Sequence, residues 1–231
     1  MLTGDETGII LLSLKVALLS IVLSLPCGLA VAYLLARRTF PGKSLFDAFV
    51  HLPLVLPPVI IGFALLYLFG RKGPLGAFFE QWFGLVFAFK WTGAALASAI
   101  MGFPLMVRAM RLSISAIDVR LETAARTLGA GRWRVFATIT LPLAMPGIIT
   151  GAVLSFARSL GEFGATITFV SNIPGETDTL PIAIYTLMQT PGGEAPAIWL
   201  SVISVALSLA ALMISERLTR SAVEKVHDDR G

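Results

Sequence analysis

Two stretches of this chain carry side chains that could do chemistry, and neither is a catalytic constellation. In LAMPGIITGAVLSFARSLGEFGATITFVSN, Arg158 and Glu162 stand four residues apart inside an apolar run. On a helix that spacing puts both on one face, within reach of each other. Ionisable groups at such depth in a bilayer are costly and face a bundle interior or a wet cavity. Ser155, Ser159, Thr166 and Thr168 flank the pair. Hydroxyls hydrogen-bond a passing anion without a fixed charge that would trap it. Ser155, Arg158, Ser159, Glu162, Thr166 and Thr168 therefore read as a hydrophilic path. The same charged pair would serve equally as an internal ion pair that pins helices, and both readings stand.

The second stretch, ETAARTLGAGRWRVFATITLP at 122–142, is a charged segment in a greasy chain. Asp118 is placed to cap a helix starting at Val119, and Glu122 puts a negative charge in its first turn. Leu121, Ala125 and Leu128 fall on one face at i, i+4 and i+7. Gly129 is suited to the left-handed conformation that ends such a helix. Ala124 and Ala125 are small enough to let another backbone come close. Arg120, Arg126, Arg132 and Arg134 surround them, and Trp133 and Phe136 give the next short helix an apolar edge. A docking surface and a helix lying on anionic headgroups both fit this composition.

Such residues need elements to position them, and composition names the medium. Hydrophobic residues make up 56% of the chain and mean hydropathy is +0.83, above the roughly 45–50% apolar usage of soluble domains. Five segments approach the length a bilayer core of about 30 Å requires: about 9–36, 47–69, 86–107, 144–170 and 197–215. Lipid offers no partners to backbone groups, so an all-α, polytopic transmembrane bundle follows. Pro26, Pro53, Pro57, Pro58 and Pro104 fall within these spans, and the Pro57-Pro58 pair is expected to kink the second rather than end it. The first apolar run is longer than the roughly 7–15 residues of a signal core, and the residues before it hold Asp5 and Glu6 but no base, so it reads as an uncleaved span. The apolar island at 179–189 is too short to cross and is expected at the interface or folded back.

Charge sets the direction. Arg37, Arg38, Lys43, Arg108, Arg111, Arg120, Arg126, Arg132, Arg134, Arg217, Arg220, Lys225 and Arg230 all flank alternate ends of the spans, thirteen of the 18 basic residues. By the positive-inside rule that side is cytoplasmic, giving an outside amino terminus and an inside carboxyl terminus.

Enzyme chemistry finds no foothold. Gly42-Lys43-Ser44 looks like the end of a P-loop, but Arg37 stands where the motif needs glycine. Gly-x-Ser-x-Gly is absent. His51, read as a loop histidine, and His227, in the tail, are too isolated to build a zinc site, and no metal is expected. Cys27 has no second cysteine to pair with. Basic residues beside spans point to membrane, not nucleic acid. An ion-coupled secondary carrier is disfavoured because no second half repeats the first; five spans alone lack a partner wall, which a homodimer would supply.

The spacing Ala124-Ala125, Gly129, Ile139 and Leu141-Pro142 resembles the cytoplasmic loop signature of ABC importer permeases: Glu-Ala-Ala, three residues, Gly, nine residues, Ile-x-Leu-Pro. Here Thr123 takes the first place and the acid falls one residue earlier, at Glu122. RTFPGKSLFDAFVHLPLVLPPVIIGFALL (38–66), FPLMVRAMRL (103–112), FARSLGEFGATITFVSNIPGET (156–177) and ISERL (214–218) resemble the molybdate ABC transporter permeases, and in outline the sulfate/thiosulfate ones. The resemblance implies a type I importer permease, with residues 1–231 as one transmembrane domain and 111–143 as its cytoplasmic coupling loop. It implies that Glu122, Ala124, Ala125, Arg126, Gly129, Leu141 and Pro142 dock an ATPase. It also implies a second copy of this chain, two cytoplasmic ABC ATPase subunits carrying the ATP and magnesium, and a periplasmic oxyanion-binding protein. The chain itself would bind no cofactor, would sit multi-pass in the bacterial inner membrane, and would pass molybdate or tungstate, with sulfate or thiosulfate the alternative substrate.

The orientation is open to test. A reporter active only in the periplasm should be silent when fused after Arg230 and active when inserted near Gly192. The reverse pair of results would overturn the topology.

Overall fold

The computed structural model describes residues 4–228, with side chains described for 6–214, Glu216 and Arg217. Arg230 lies outside the described residues, as do the side chains of Arg220 and Lys225. The first helix, α1 (Gly4–Arg37), is followed by α2 (Lys43–Val55), α3 (Pro58–Phe69), α4 (Pro74–Phe83) and α5 (Trp91–Ala116). Then come α6 (Val119–Thr127), α7 (Arg132–Val135), a π-helical turn at Phe136–Thr140, α8 (Leu141–Leu160), α9 (Gly164–Val170), α10 (Leu180–Met188) and α11 (Glu194–Asp228). No strand occurs among the described residues.

Among the described residues, four unbroken helices are long and apolar enough to cross a bilayer: Glu6–Arg37, Trp91–Ala116, Arg132–Leu160 and Glu194–Ile214. At about 1.5 Å per residue, even the 21 residues of the last reach the thickness of the hydrocarbon core. Pro26 and Pro104 sit inside continuous α1 and α5, because neighbouring helices in a bundle satisfy or shield the freed carbonyls.

The second span departs from expectation. Pro57-Pro58 does not merely kink it: α2 and α3 meet at 110°. A residue before proline avoids the helical region, and both Leu56 and Pro57 are extended, with ψ of 143° and 131°. The pair still carries the chain along the bundle. Val50 of α2 packs with Leu35, Met110 and Ile114 in one core cluster, whereas Leu65 of α3 packs with Val16, Ala94 and Phe169 in the other. The fourth span also shifts. It begins at Arg132, earlier than the expected 144, and ends at Leu160, with Gly161–Phe163 breaking it from α9. The connecting segment 111–143 holds the expected short helix from Val119, while α5 extends to Ala116 and the next long helix starts at Arg132. A helix can run beyond its apolar window into the charged zone, which hydropathy does not register.

The centre of the bundle is α5, lying against α1 on one side and α8 on another. Close approach to α8 comes from small residues, as in membrane packing generally. Gly102 faces Ser155, Gly147 faces Ser113 and Ala109, and Gly151 faces the Met106 backbone. At the end opposite the basic loops, the Lys15 ammonium lies 3.6 Å from the centroid of the Trp91 ring, and Lys90 pairs with Glu176 at 3.3 Å. The 179–189 island forms α10, which does not span; it leans on α11 and α1, and its Leu180 N–H donates to Ser13 Oγ at 2.7 Å. The exposed surface is apolar: Leu11, Leu18 and Val22 on α1, and Ile198, Val202, Val205 and Met213 on α11. Such a surface suits lipid or a partner chain.

A Cβ at Gly151 would sit 2.9 Å from the Met106 carbonyl oxygen, whereas one at Gly8 meets nothing within 4 Å. Gly151→Val should therefore force α5 and α8 apart and lower the yield of monodisperse protein in detergent, with Gly8→Val close to wild type. Equal yields would show that this packing does not hold the bundle.

Candidate functional site

The α6 segment is built from local rules and then held by distant ones. Asp118 caps it, its Oδ1 accepting the Arg120 N–H at 2.9 Å. At the other end Gly129 takes φ +87°. Its N–H donates to the Arg126 carbonyl at 3.0 Å and the Ala130 N–H donates to the Ala125 carbonyl at 3.0 Å. That pair of bonds is the Schellman arrangement, which satisfies the last carbonyls of the helix and favours glycine at the left-handed position. Both expectations from the residues, the cap and the stop, are met.

The outward face of this segment is open. Ala124, Arg126, Gly129 and Pro142 are exposed, Ala125 and Leu141 partly so. Leu128 and Trp133 are 89% and 84% exposed, so the apolar edge looks outward rather than into the fold. Exposed apolar side chains beside small residues and arginines form a surface for close contact with another molecule.

Glu122 is placed differently from its neighbours. It is 3% exposed, turned inward rather than toward a partner. Its Oε1 receives Arg37 Nη2 at 3.0 Å and the Thr140 hydroxyl at 3.1 Å, and its Oε2 lies 3.5 Å from Arg126 Nη2. Arg37 Nη2 also donates to the Ile117 carbonyl at 3.1 Å. One carboxylate thus joins the end of α1, the exit from α5, α6 and the π-helical turn leading into α8. Glu122 therefore acts on the outward face by positioning it. Sequence reasoning registered Arg37 only as a topological charge and did not single out Thr140. Nothing local links positions 37, 122 and 140; the fold brings them together.

The expected path residues separate. Ser155 is fully buried against Gly102 on α5. The Ser159 hydroxyl lies 3.3 Å from Ser20 Oγ on α1. Thr166 is buried, and Thr168 Oγ1 donates back to the Gly164 carbonyl at 2.8 Å. Arg158 Nη1 contacts Glu162 Oε2 at 2.7 Å, but not along one helix face, because α8 has ended at Leu160. Glu162, 2% exposed, also accepts the Ala165 N–H at 2.8 Å in the first turn of α9. The pair pins the α8–α9 break. The expectation that Arg158 and Glu162 share one face of an unbroken span is corrected: Gly161–Phe163 separates α8 from α9. Within one chain, Arg158, with 28% of its side chain exposed, and Thr168 keep surface open.

With this geometry in place, comparison with known proteins is decisive. Residues 24–223 match the binding-protein-dependent transport system inner membrane component family. The chain belongs to that family. A relative, the molybdenum transport system permease protein ModB of Escherichia coli K12, is 62% identical over 224 residues, covering 97% of this chain and 98% of its own. The sulfate transport system permease protein CysW of Synechococcus elongatus is 38% identical over 206 residues, covering 87% and 72%. Among solved structures, a bacterial ABC transporter importing the acidic polysaccharide alginate superposes with TM-score 0.73 at 18% identity, over 95% of this chain and 80% of that one; this likeness speaks for the fold. The chain is thus an inner membrane component of a binding-protein-dependent transport system.

Removing Arg37 would leave the buried Glu122 carboxylate with a half-exposed arginine and one hydroxyl. Uncompensated buried charge costs about 3–5 kcal/mol, so Arg37→Ala should lower the apparent melting temperature of the purified permease markedly. The apolar pair Arg37→Met with Glu122→Leu should restore much of it. A single Arg37→Ala variant that melts with wild type would show that the carboxylate does not hold these helix ends.

Proposed function

We propose that two copies of this chain form the path by which an ABC importer carries molybdate across the bacterial inner membrane. The observation that carries this reading is the 62% identity to a molybdenum permease along essentially the whole of both chains. Sulfate permeases are weaker relatives, at 38% identity. A periplasmic oxyanion-binding protein would deliver substrate on the side of α4 and α10, and two cytoplasmic ATPases would engage the α6 surface.

The geometry supports a mechanical role for α6. Its outward face, Ala124, Arg126, Leu128, Gly129 and Trp133, is free for a partner's cleft, while its inward carboxylate grips α1 and the start of α8. Closure of the ATPase dimer would move α6, and the Glu122 contacts would pass that movement to two membrane-crossing helices. The chain need only present the surface and keep it rigidly joined to the spans. The exposed apolar faces of α1 and α11 offer area for the second copy and for lipid.

Gly129 provides the test. A Cβ at its left-handed φ costs about 1–2 kcal/mol, and no atom of this chain lies within 4 Å of such a Cβ, so the spans should fold regardless. In proteoliposomes holding the permease, its ATPase and binding protein, molybdate should stimulate ATP hydrolysis and uptake, with sulfate far weaker. Gly129→Asp should insert and dimerise but lose ATPase co-purification or this stimulation. Wild-type transport by Gly129→Asp would remove α6 as the coupling element, and equal stimulation by sulfate would reassign the substrate.

A further inference from the structure

A second polar site lies between α2 and α5, outside everything assigned above. On α5, Arg108, Arg111, Leu112 and Ser115 follow the i, i+3, i+4, i+7 pattern of a single helical face. Asp47 and His51 of α2, four apart, meet them across a cavity of about 410 Å³. Arg111 Nη1 contacts both carboxylate oxygens of Asp47 at 2.8 Å. His51 Nδ1 lies 2.8 Å from the Asp47 carbonyl oxygen, which only a ring N–H can satisfy, and 3.3 Å from Asp47 Oδ1. This corrects the reading of His51 as a loop residue: it belongs to α2 and helps orient the carboxylate.

The charges do not balance. One carboxylate faces two guanidiniums, and Arg111 takes it fully. Arg108 makes no ion pair or hydrogen bond among the described residues, and it stands exposed at the rim of this cavity. An exposed guanidinium with no carboxylate of its own, beside a second one that is already paired, is open to an anion. The guanidinium fork matches a tetrahedral oxyanion, and the Ser115 hydroxyl and the His51 ring add polar lining. The volume admits such an anion with several waters.

We propose that this cavity binds a tetrahedral oxyanion through Arg108, at the basic end of the bundle. The anion has two possible sources: a transported oxyanion leaving the path, or the phosphate of an anionic lipid. The proposal concerns this cavity alone and does not require that molybdate be the substrate. The test is equilibrium binding of radiolabelled molybdate and sulfate to the full-length permease in phosphatidylcholine nanodiscs, with mass spectrometry of lipid retained from phosphatidylglycerol-containing membranes. If the source is the transported oxyanion, binding saturates in phosphatidylcholine, and Arg108→Gln weakens it about tenfold or more, the effect of losing a charge-assisted hydrogen bond. Arg108→Lys keeps the charge but not the fork and falls between. If the source is lipid, free oxyanion does not bind, and Arg108→Gln loses the retained phosphatidylglycerol. The proposal is overturned if wild type binds neither, or if Arg108→Gln, shown folded by its melting temperature, binds both as wild type does. In that event molybdate uptake by the complete transporter would still stand. Conversely, Arg108-dependent sulfate or lipid binding in a permease whose transporter moves no molybdate would keep the site and discard the substrate reading.

Discussion

The buried carboxylate of Glu122 is the contact on which the architecture at the basic end of the bundle turns. Arg37 at the end of α1, the Ile117 carbonyl at the end of α5 and Thr140 in the turn into α8 all converge on Glu122 or on its partner guanidinium. A charge this deeply buried is tolerated only when its lone pairs are occupied, so the four elements must arrive together for any to be satisfied. That requirement gives the short α6 a defined pose. It also explains why a nine-residue helix with no core of its own stays ordered: its cap and stop shape it, and the carboxylate anchors it.

The membrane part obeys a different constraint. Apolar burial does not drive helices together in lipid, so close packing and small residues do. Gly102, Gly147 and Gly151 let α5 and α8 approach, and the resulting contact is the most extensive between elements. Around this tight centre lie two broken elements, the α2–α3 bend at Pro57-Pro58 and the α8–α9 break at Gly161. They pack on each other, with Gly164 against Pro58 and Gly62 against Ala165. Breaks expose backbone groups, and the Glu162 carboxylate satisfies one of them at Ala165. The ionisable pair inside the fourth span thus serves the architecture first.

The two parts are mechanically continuous. A rigid surface outside the bilayer is fastened to helices inside it, and those helices are packed closely enough to move as bodies.

Much was legible in the residues themselves. Asp118 as a cap and Gly129 as a stop depend on bonds within a few residues, so local sequence determines them. The all-helical class follows from hydropathy, because lipid leaves the backbone no alternative. The α6 stretch, for which a docking role is proposed, stood out in the sequence as an ordered spacing of small residues. What the tertiary structure alone decided is which side chains meet. Glu122 faces inward because Arg37, 85 residues earlier in the chain, closes over it. Ser155 and Ser159 are buried because α5 and α1 cover that side of α8, and Thr166 and Thr168 lie on a separate helix because Gly161–Phe163 resets the turn. Arg111 and Asp47 pair across 64 positions. Sequence records the chemistry of each group and its neighbours along the chain; the partner that neutralises a buried charge is set by packing between helices distant in sequence.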